Sequence, residues 1–153
     1  MNDRGVSSTL NYVLSLSIAT LLVTGLLVAG GTFVEDRQKE VMRSELSVIG
    51  QQVASDINRA DRLLTAGRGD TRVVVNQSFP KRITGSGYDI LLNTGDPTDP
   101  SDDTLTLVSE DPEVQVEVHV QTEQRLVESY ADSGVVVVRN RTGTNDELVI
   151  TNG

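Results

Sequence analysis

The hydrophobic pattern changes period twice along the chain. Residues 6–34 form an uncharged run dense in branched aliphatics, among them Leu10, Val13, Leu14, Leu16, Ile18, Leu21, Leu22, Val23, Leu26, Leu27 and Val28. About 20 apolar helical residues cross a hydrocarbon core of ~30 Å, so a run of 29 residues spans a bilayer with length to spare. Beyond it, Met42, Leu46, Ile49, Val53, Ile57, Ala60 and Leu64 recur at intervals of three and four and fall on one stripe of a helix. The opposite face carries Glu35, Arg37, Lys39, Glu40, Arg43, Glu45, Asp56, Arg59, Asp61 and Arg62. No Pro interrupts residues 6–66, so the two runs are predicted as one helix. It starts at the capping cluster Ser7, Ser8 and Thr9 and stops at Gly67 and Gly69. From Thr9 to Ala66 such a helix measures about 87 Å, more than half of it beyond the membrane core.

After Asp70 the period becomes two. Candidate strands are residues 71–79, 88–93, 104–109, 114–121, 124–130, 135–140 and 147–152, separated by turn chemistry such as Gly85, Ser86, Gly87 and Glu110, Asp111, Pro112. The short connections predict a consecutive antiparallel meander. Val114, Val116, Val118 and Val120 alternate with Gln115, Glu117, His119 and Gln121, which gives that strand one buried and one wet face. The natural cover for the buried face is the stripe from Met42 to Leu64. The expected fold is therefore α+β, a long N-terminal helix packed on a C-terminal antiparallel sheet. Its parts are a leader at 1–5, a transmembrane helix at 6–34, its amphipathic continuation at 35–67 and an acidic β domain at 70–153.

Charge sharpens this division. The 153 residues carry 22 Asp and Glu against 13 Lys and Arg, a net charge of −9. Residues 70–153 hold 15 acids and six bases and account for all of it, while residues 1–69 sum to zero. An acid excess argues against nucleic acid as a partner, because phosphates reward clustered Lys and Arg. Eleven of the 13 bases are Arg and 13 of the 22 acids are Asp, an Asp-rich and Lys-poor surface that resembles those of halophilic proteins. At 1 M salt the Debye length is roughly 3 Å, which screens the self-repulsion of such a surface.

A cleaved secretory signal is the main competitor for the first segment, since Ala29, Gly30 and Gly31 offer a small-residue exit. The apolar stretch exceeds the roughly 7 to 15 residues of a signal core, which favours a retained anchor. Counting bases near the span places Arg4 on one side and Arg37, Lys39 and Arg43 on the other, which alone would put the β domain in the cytoplasm. Those three bases alternate with Glu35, Asp36, Glu40 and Glu45, and the start of the chain carries a more specific signal.

That signal is Met1, Asn2, Asp3, Arg4, Gly5, followed at once by Val6, Ser7, Ser8, Thr9, Leu10, Asn11, Tyr12 and the apolar run. A short polar leader ending in Arg-Gly before a hydrophobic helix resembles the leader of type IV pilins. The Asp-Arg-Gly-Val-Ser opening resembles pilin-like proteins of halophilic archaea. The resemblance implies cleavage between Gly5 and Val6 by a prepilin peptidase on the cytoplasmic side, with the helix kept and the β domain outside the cell. It also implies the lipid bilayer and other pilin-like subunits as partners of the helix. Bacterial members usually carry Glu at the fifth residue after the cut, where this chain has Leu10; archaeal members commonly lack that Glu, so the bacterial docking rule does not transfer.

Candidate chemistry is sparse. With no Cys and one His there is no thiolate or multi-histidine metal site, and no cofactor is expected. His119 falls on the wet face of its strand, where a surface histidine is the simpler reading. The acidic stretch at 96–103 lacks the spaced acids, Gly and terminal Glu of a known Ca²⁺ loop. Arg68, Gly69 and Asp70 spell an adhesion tripeptide at a helix end that reads most simply as a cap and turn. No nucleophile elbow, P-loop or dinucleotide fingerprint is present, so an enzyme is not expected. Two sequons, at Asn76 and Asn140, are candidates for N-glycosylation and agree with an external β domain. Two functional classes remain: a pilin-like structural subunit, and a monomeric membrane-tethered binding or accessory module that uses the anchor only as a leash.

Overall fold

One helix, α1 (Asp3–Ala66), runs for 64 residues, and eight strands follow it. The computed structural model describes residues 3–67, 72–95, 103–141 and 147–153, with side chains from residue 10 onward except at 141. The helix starts at Asp3, ahead of the Ser7, Ser8 and Thr9 cluster expected to cap it. A single Gly inside a helix costs only about 1 kcal/mol relative to Ala, so Gly5 does not interrupt it. At the other end the Gly67 N–H donates to the carbonyls of Leu63 and Leu64, at 3.0 and 3.1 Å, and closes the last turn.

The chain forms two compact units, residues 1–37 and residues 38–153. In the first, the helix is apolar on every side: Leu10, Val13, Leu14, Leu16, Ile18, Leu21, Leu22, Val23, Leu26, Leu27, Val28, Phe33 and Val34 are all exposed. This segment makes α1 long and apolar enough to cross a membrane.

In the second unit the helical residues 38–66 are amphipathic. Met42, Leu46, Ile49, Val53, Ile57, Ala60 and Leu64 are all buried, along with Ala54. They join one hydrophobic cluster with Leu105, Leu107 and Val114 from one group of strands, Val120 from the residue that follows it, and Val136, Val138, Leu148 and Ile150 from another group. Burial of an aliphatic side chain of this size contributes roughly 1.5–3 kcal/mol, so the stripe is the largest single apolar contribution the helix makes to this core. Asp56 and Asp61, expected on the wet face, are also buried. Each lies three or four residues from a stripe member, close enough to the packed face to be covered by it.

The strands are β1 (Val74–Ser78), β2 (Asp89–Asn93), β3 (Thr104–Glu110), β4 (Glu113–His119), β5 (Arg125–Leu126), β6 (Ser129–Asp132), β7 (Val135–Arg141) and β8 (Glu147–Asn152). They form two four-stranded sheets, ordered β1-β7-β8-β5 and β4-β3-β2-β6, rather than one consecutive meander. Neighbours in sequence pair only within β2-β3-β4 and β7-β8. β1 pairs with β7, β6 with β2, and β5 runs parallel to β8. The segment read as one strand at 124–130 is two, because the chain changes sheets there. The Ser129 hydroxyl donates to the Val127 carbonyl at 2.9 Å and accepts from the Ile150 N–H at 3.1 Å, so β6 is stitched to β8 while it pairs with β2.

Turn chemistry follows the residues. Ile83 and Ser86 exchange two backbone hydrogen bonds around Thr84 and Gly85, whose φ angles of 50° and 95° are both left-handed, as a type I′ turn requires. The β3–β4 hairpin turns at Asp111 and Pro112 through a cis peptide bond.

Candidate functional site

The feature with the clearest functional chemistry is the apolar half of α1. Four of its hydroxyls are satisfied within the helix. The hydroxyls of Ser17, Thr20 and Thr24 donate to the carbonyls of Val13, Leu16 and Thr20 at 2.8, 2.8 and 2.9 Å, and that of Thr32 donates to Ala29 at 3.0 Å. Hydroxyls folded back in this way present little polarity to lipid, where an unsatisfied group costs several kcal/mol. At the end of the apolar run the Arg37 guanidinium sits 5.2 Å from the Phe33 ring centroid, a cation–π pair one helical turn apart. An aromatic and a base adjoining an apolar span are side chains suited to a membrane interface. Gly5 and Val6, the expected cleavage position, lie in the first turns of α1.

The 38–66 part of the helix is fastened to the strands by two devices that the apolar pattern does not disclose. The buried Asp61 carboxylate accepts the backbone N–H of Gln124 at 2.9 Å and of Glu123 at 3.2 Å, tying the helix to the connection before β5. Two N–H donors facing one carboxylate make this a charge-assisted clamp. Gly50 is the second device. A Cβ there would stand 2.8 Å from Leu107 Cδ1 and 2.9 Å from Val118 Cγ2, so the absence of a side chain lets the helix reach β3 and β4. Asp56 is different in kind: its Oδ2 is buried and unpartnered, and burial pushes its carboxyl above the ordinary range, a trend opposed by a hydrogen bond from Gln52 and by the charge of Arg59.

The two sequon asparagines occupy unlike places. Asn76 is exposed on β1, an edge strand among the described residues. Asn140 lies on β7, between β1 and β8, and is buried; its Oδ1 accepts the Val73 N–H at 3.0 Å.

The remaining candidates do not converge. His119 is exposed at the end of β4. The acidic stretch at 96–103 lies outside the described residues except for Asp103, whose Oδ1 accepts the Gly95 N–H at 3.1 Å. Arg68, Gly69 and Asp70 also lie outside them. A cleft of about 380 Å³ is lined by Asp89, Glu110 and Asp111 with the hydroxyls of Ser86 and Ser133. The Tyr130 hydroxyl donates to Asp89 Oδ1 at 2.9 Å, and this bond, with burial and the charges of Asp89 and Asp132, raises the phenol above its ordinary range. Tyr88, another lining residue, donates its hydroxyl to the Pro80 carbonyl at 2.9 Å, and burial pushes its phenol up to about 12. Among the described residues no group of three or more His, Asp or Glu side chains is arranged to hold a metal ion.

No curated protein and no solved structure matches the chain. A family model does, over residues 1–151, and its description is a family of unknown function, DUF7266. A match across all but the last two residues takes in the apolar helix, the clamp and both sheets, and the chain belongs to the DUF7266 family.

Proposed function

We propose that the protein is a single-pass, pilin-like structural subunit of a type IV pilus or related surface filament, in a minor or accessory role, and not an enzyme. The observation that carries the reading is the division of labour along α1. Its first half exposes aliphatic side chains on every side and folds the hydroxyls of Ser17, Thr20, Thr24 and Thr32 back onto its own carbonyls, and its second half is a core element of the β domain. A helix of this kind sits in lipid, or against identical helices once withdrawn from it, at roughly 25 cal/mol per Å² of apolar surface removed from water. Head-to-tail contacts that do not close on themselves then yield a helical filament. The leader resemblance supplies the route: a prepilin peptidase removes residues 1–5, the N-terminus starts in the cytoplasm, and the acidic β domain faces outside, where high salt of the kind halophilic archaea inhabit screens its charge.

The second reading, a monomeric tethered β module, is favoured by one observation. The amphipathic stripe is already consumed by the molecule's own strands, so nothing in residues 38–66 demands a partner beyond Val41, Val48 and Leu63, which are exposed. Recovery of the mature protein in sheared extracellular filaments supports the subunit; strict retention in the membrane fraction with an uncleaved leader supports the tether. Gly5→Leu blocks leader removal if the pilin reading is right, and normal processing of that variant contradicts it.

A further inference from the structure

We propose that Asn76 is an N-glycosylation acceptor and that Asn140, although it carries the same sequon, is a structural residue that is not modified. The two motifs, Asn76, Gln77, Ser78 and Asn140, Arg141, Thr142, are equivalent in sequence and part company in the fold.

Asn76 and Ser78 lie on β1 two residues apart, so their side chains emerge on one face, and both are exposed. The backbone is presented as well. The Phe79 N–H donates to the Gly134 carbonyl at 2.7 Å and the Asn140 N–H to the Val73 carbonyl at 3.3 Å, which marks the odd-numbered residues of this strand as those bonded to β7. In an antiparallel ladder the alternate residues turn their N–H and C=O the other way. Val74, Asn76 and Ser78 therefore direct theirs to the outer edge, where no strand pairs with β1 among the described residues. An enzyme that binds an extended acceptor by strand addition meets the carboxamide and the hydroxyl two residues on, already in line.

Asn140 has none of these properties. It is 7% exposed, sits on a strand paired on both sides, and its Oδ1 is the acceptor for the Val73 N–H where β1 begins. A sugar on its nitrogen would have to displace the packing that holds β1 to β7.

The reaction is a glycosyl transfer from a lipid-linked oligosaccharide phosphate, catalysed by a membrane oligosaccharyltransferase. A bond forms between Asn76 Nδ2 and the anomeric carbon. The bond from that carbon to the carrier's phosphate oxygen breaks, the phosphate leaves with the electron pair, and the proton lost from Nδ2 passes to a base of the transferase. The inference rests on the proposed external position of the β domain, because that is where such a transferase meets an exported chain.

The test uses the full chain purified from membranes of its native host, after intact cells have been treated with a membrane-impermeant amine reagent. Lys81 is exposed in the β domain and reports its sidedness. Glycopeptide mass spectrometry then reads the tryptic fragment 73–82, which keeps the labelled Lys81 because trypsin does not cut after a modified lysine, for Asn76, and the Glu-specific fragment 129–147 for Asn140. The expected result is a labelled Lys81 and a glycan on 73–82 that is lost in both Asn76→Gln and Ser78→Ala. Occupancy at Asn76 should exceed that at Asn140 by at least about tenfold, the factor that loss of one buried hydrogen bond sets against modification there. Ser78→Ala changes only an exposed hydroxyl, so loss of the adduct in that variant is not a folding failure. A labelled Lys81 with the glycan on 129–147, or with no glycan, overturns the assignment and leaves the functional reading standing. An unlabelled Lys81 with no glycan overturns both.

Discussion

Gly50→Ala sets two effects of opposite sign against each other, and the structure decides which wins. In an exposed helix interior the change stabilises by about 1 kcal/mol, because Ala loses less conformational entropy than Gly. Here the added Cβ lies 2.8 Å from Leu107 Cδ1 and 2.9 Å from Val118 Cγ2, where carbon pairs prefer about 3.5–4.0 Å. Something must retreat by several tenths of an ångström. Leu107 is fully buried on β3, which is paired on both sides by β2 and β4, and Val118 is β-branched and stiff at χ1. Overpacking of this kind costs about 1–3 kcal/mol, so the net effect is destabilisation by up to about 2 kcal/mol. Hydrogen exchange of the detergent-solubilised full chain reads it: amides of helical residues 46–57 and of β3 should lose protection, by up to about thirtyfold. Gly25→Ala is the control, since a Cβ there meets nothing within 4 Å. A gain of protection at residues 46–57 in Gly50→Ala would refute the close approach of helix and strand.

Other changes probe separate parts. Asp61→Ala strands the N–H groups of Glu123 and Gln124 and should cost about 2–4 kcal/mol, read as faster exchange at those two amides and at the helix end; unchanged exchange there denies the clamp. Asp56, whose carboxyl is raised above 3.8, binds its proton more tightly folded than unfolded. Its contribution is fully present below the unfolded pKa and is lost as pH rises through the folded one. Wild type should therefore gain stability relative to Asp56→Asn as pH falls from 7 toward 4, and parallel unfolding curves would contradict the burial of that charge. Thr84→Asn relieves a β-branched residue held at φ 50° and supplies the residue type I′ turns favour, so unfolding should move to higher denaturant by an equivalent of about 1 kcal/mol.

The parts of the fold legible in the sequence are those with a local period. The Met42 to Leu64 stripe could be read because seven apolar residues at helical spacing share one face, and all seven are buried. Strand positions were legible for the same reason, except at 124–130, where no Gly or Pro marks the point between Leu126 and Ser129 at which the chain leaves one sheet for the other. Sheet order was not legible. β1 meets β7 some sixty residues later, and the short connections that predicted a meander carry no trace of that pairing. Nor does hydropathy disclose Asp61, a charged residue that patterning assigns to water and that the fold uses as an acceptor for two backbone donors. Gly50 could have been noticed as a glycine within an otherwise good helix, although what it makes room for lies on strands more than fifty residues away. The sequons show the converse limit: both fit the Asn-x-Ser/Thr pattern, and only the fold shows that one lies on an edge strand and the other on a strand paired on both sides.

The central claim is that the apolar helix is a processed and retained assembly and anchoring element. The most direct measurement is the intact mass and N-terminal sequence of the protein extracted from its native membranes, beside the same measurement on sheared extracellular material. The account predicts a mature chain beginning at Val6 in both fractions, with residues 10–34 present. A chain that keeps Met1 to Gly5, or one cut after Ala29 to Gly31 and released without its helix, contradicts it.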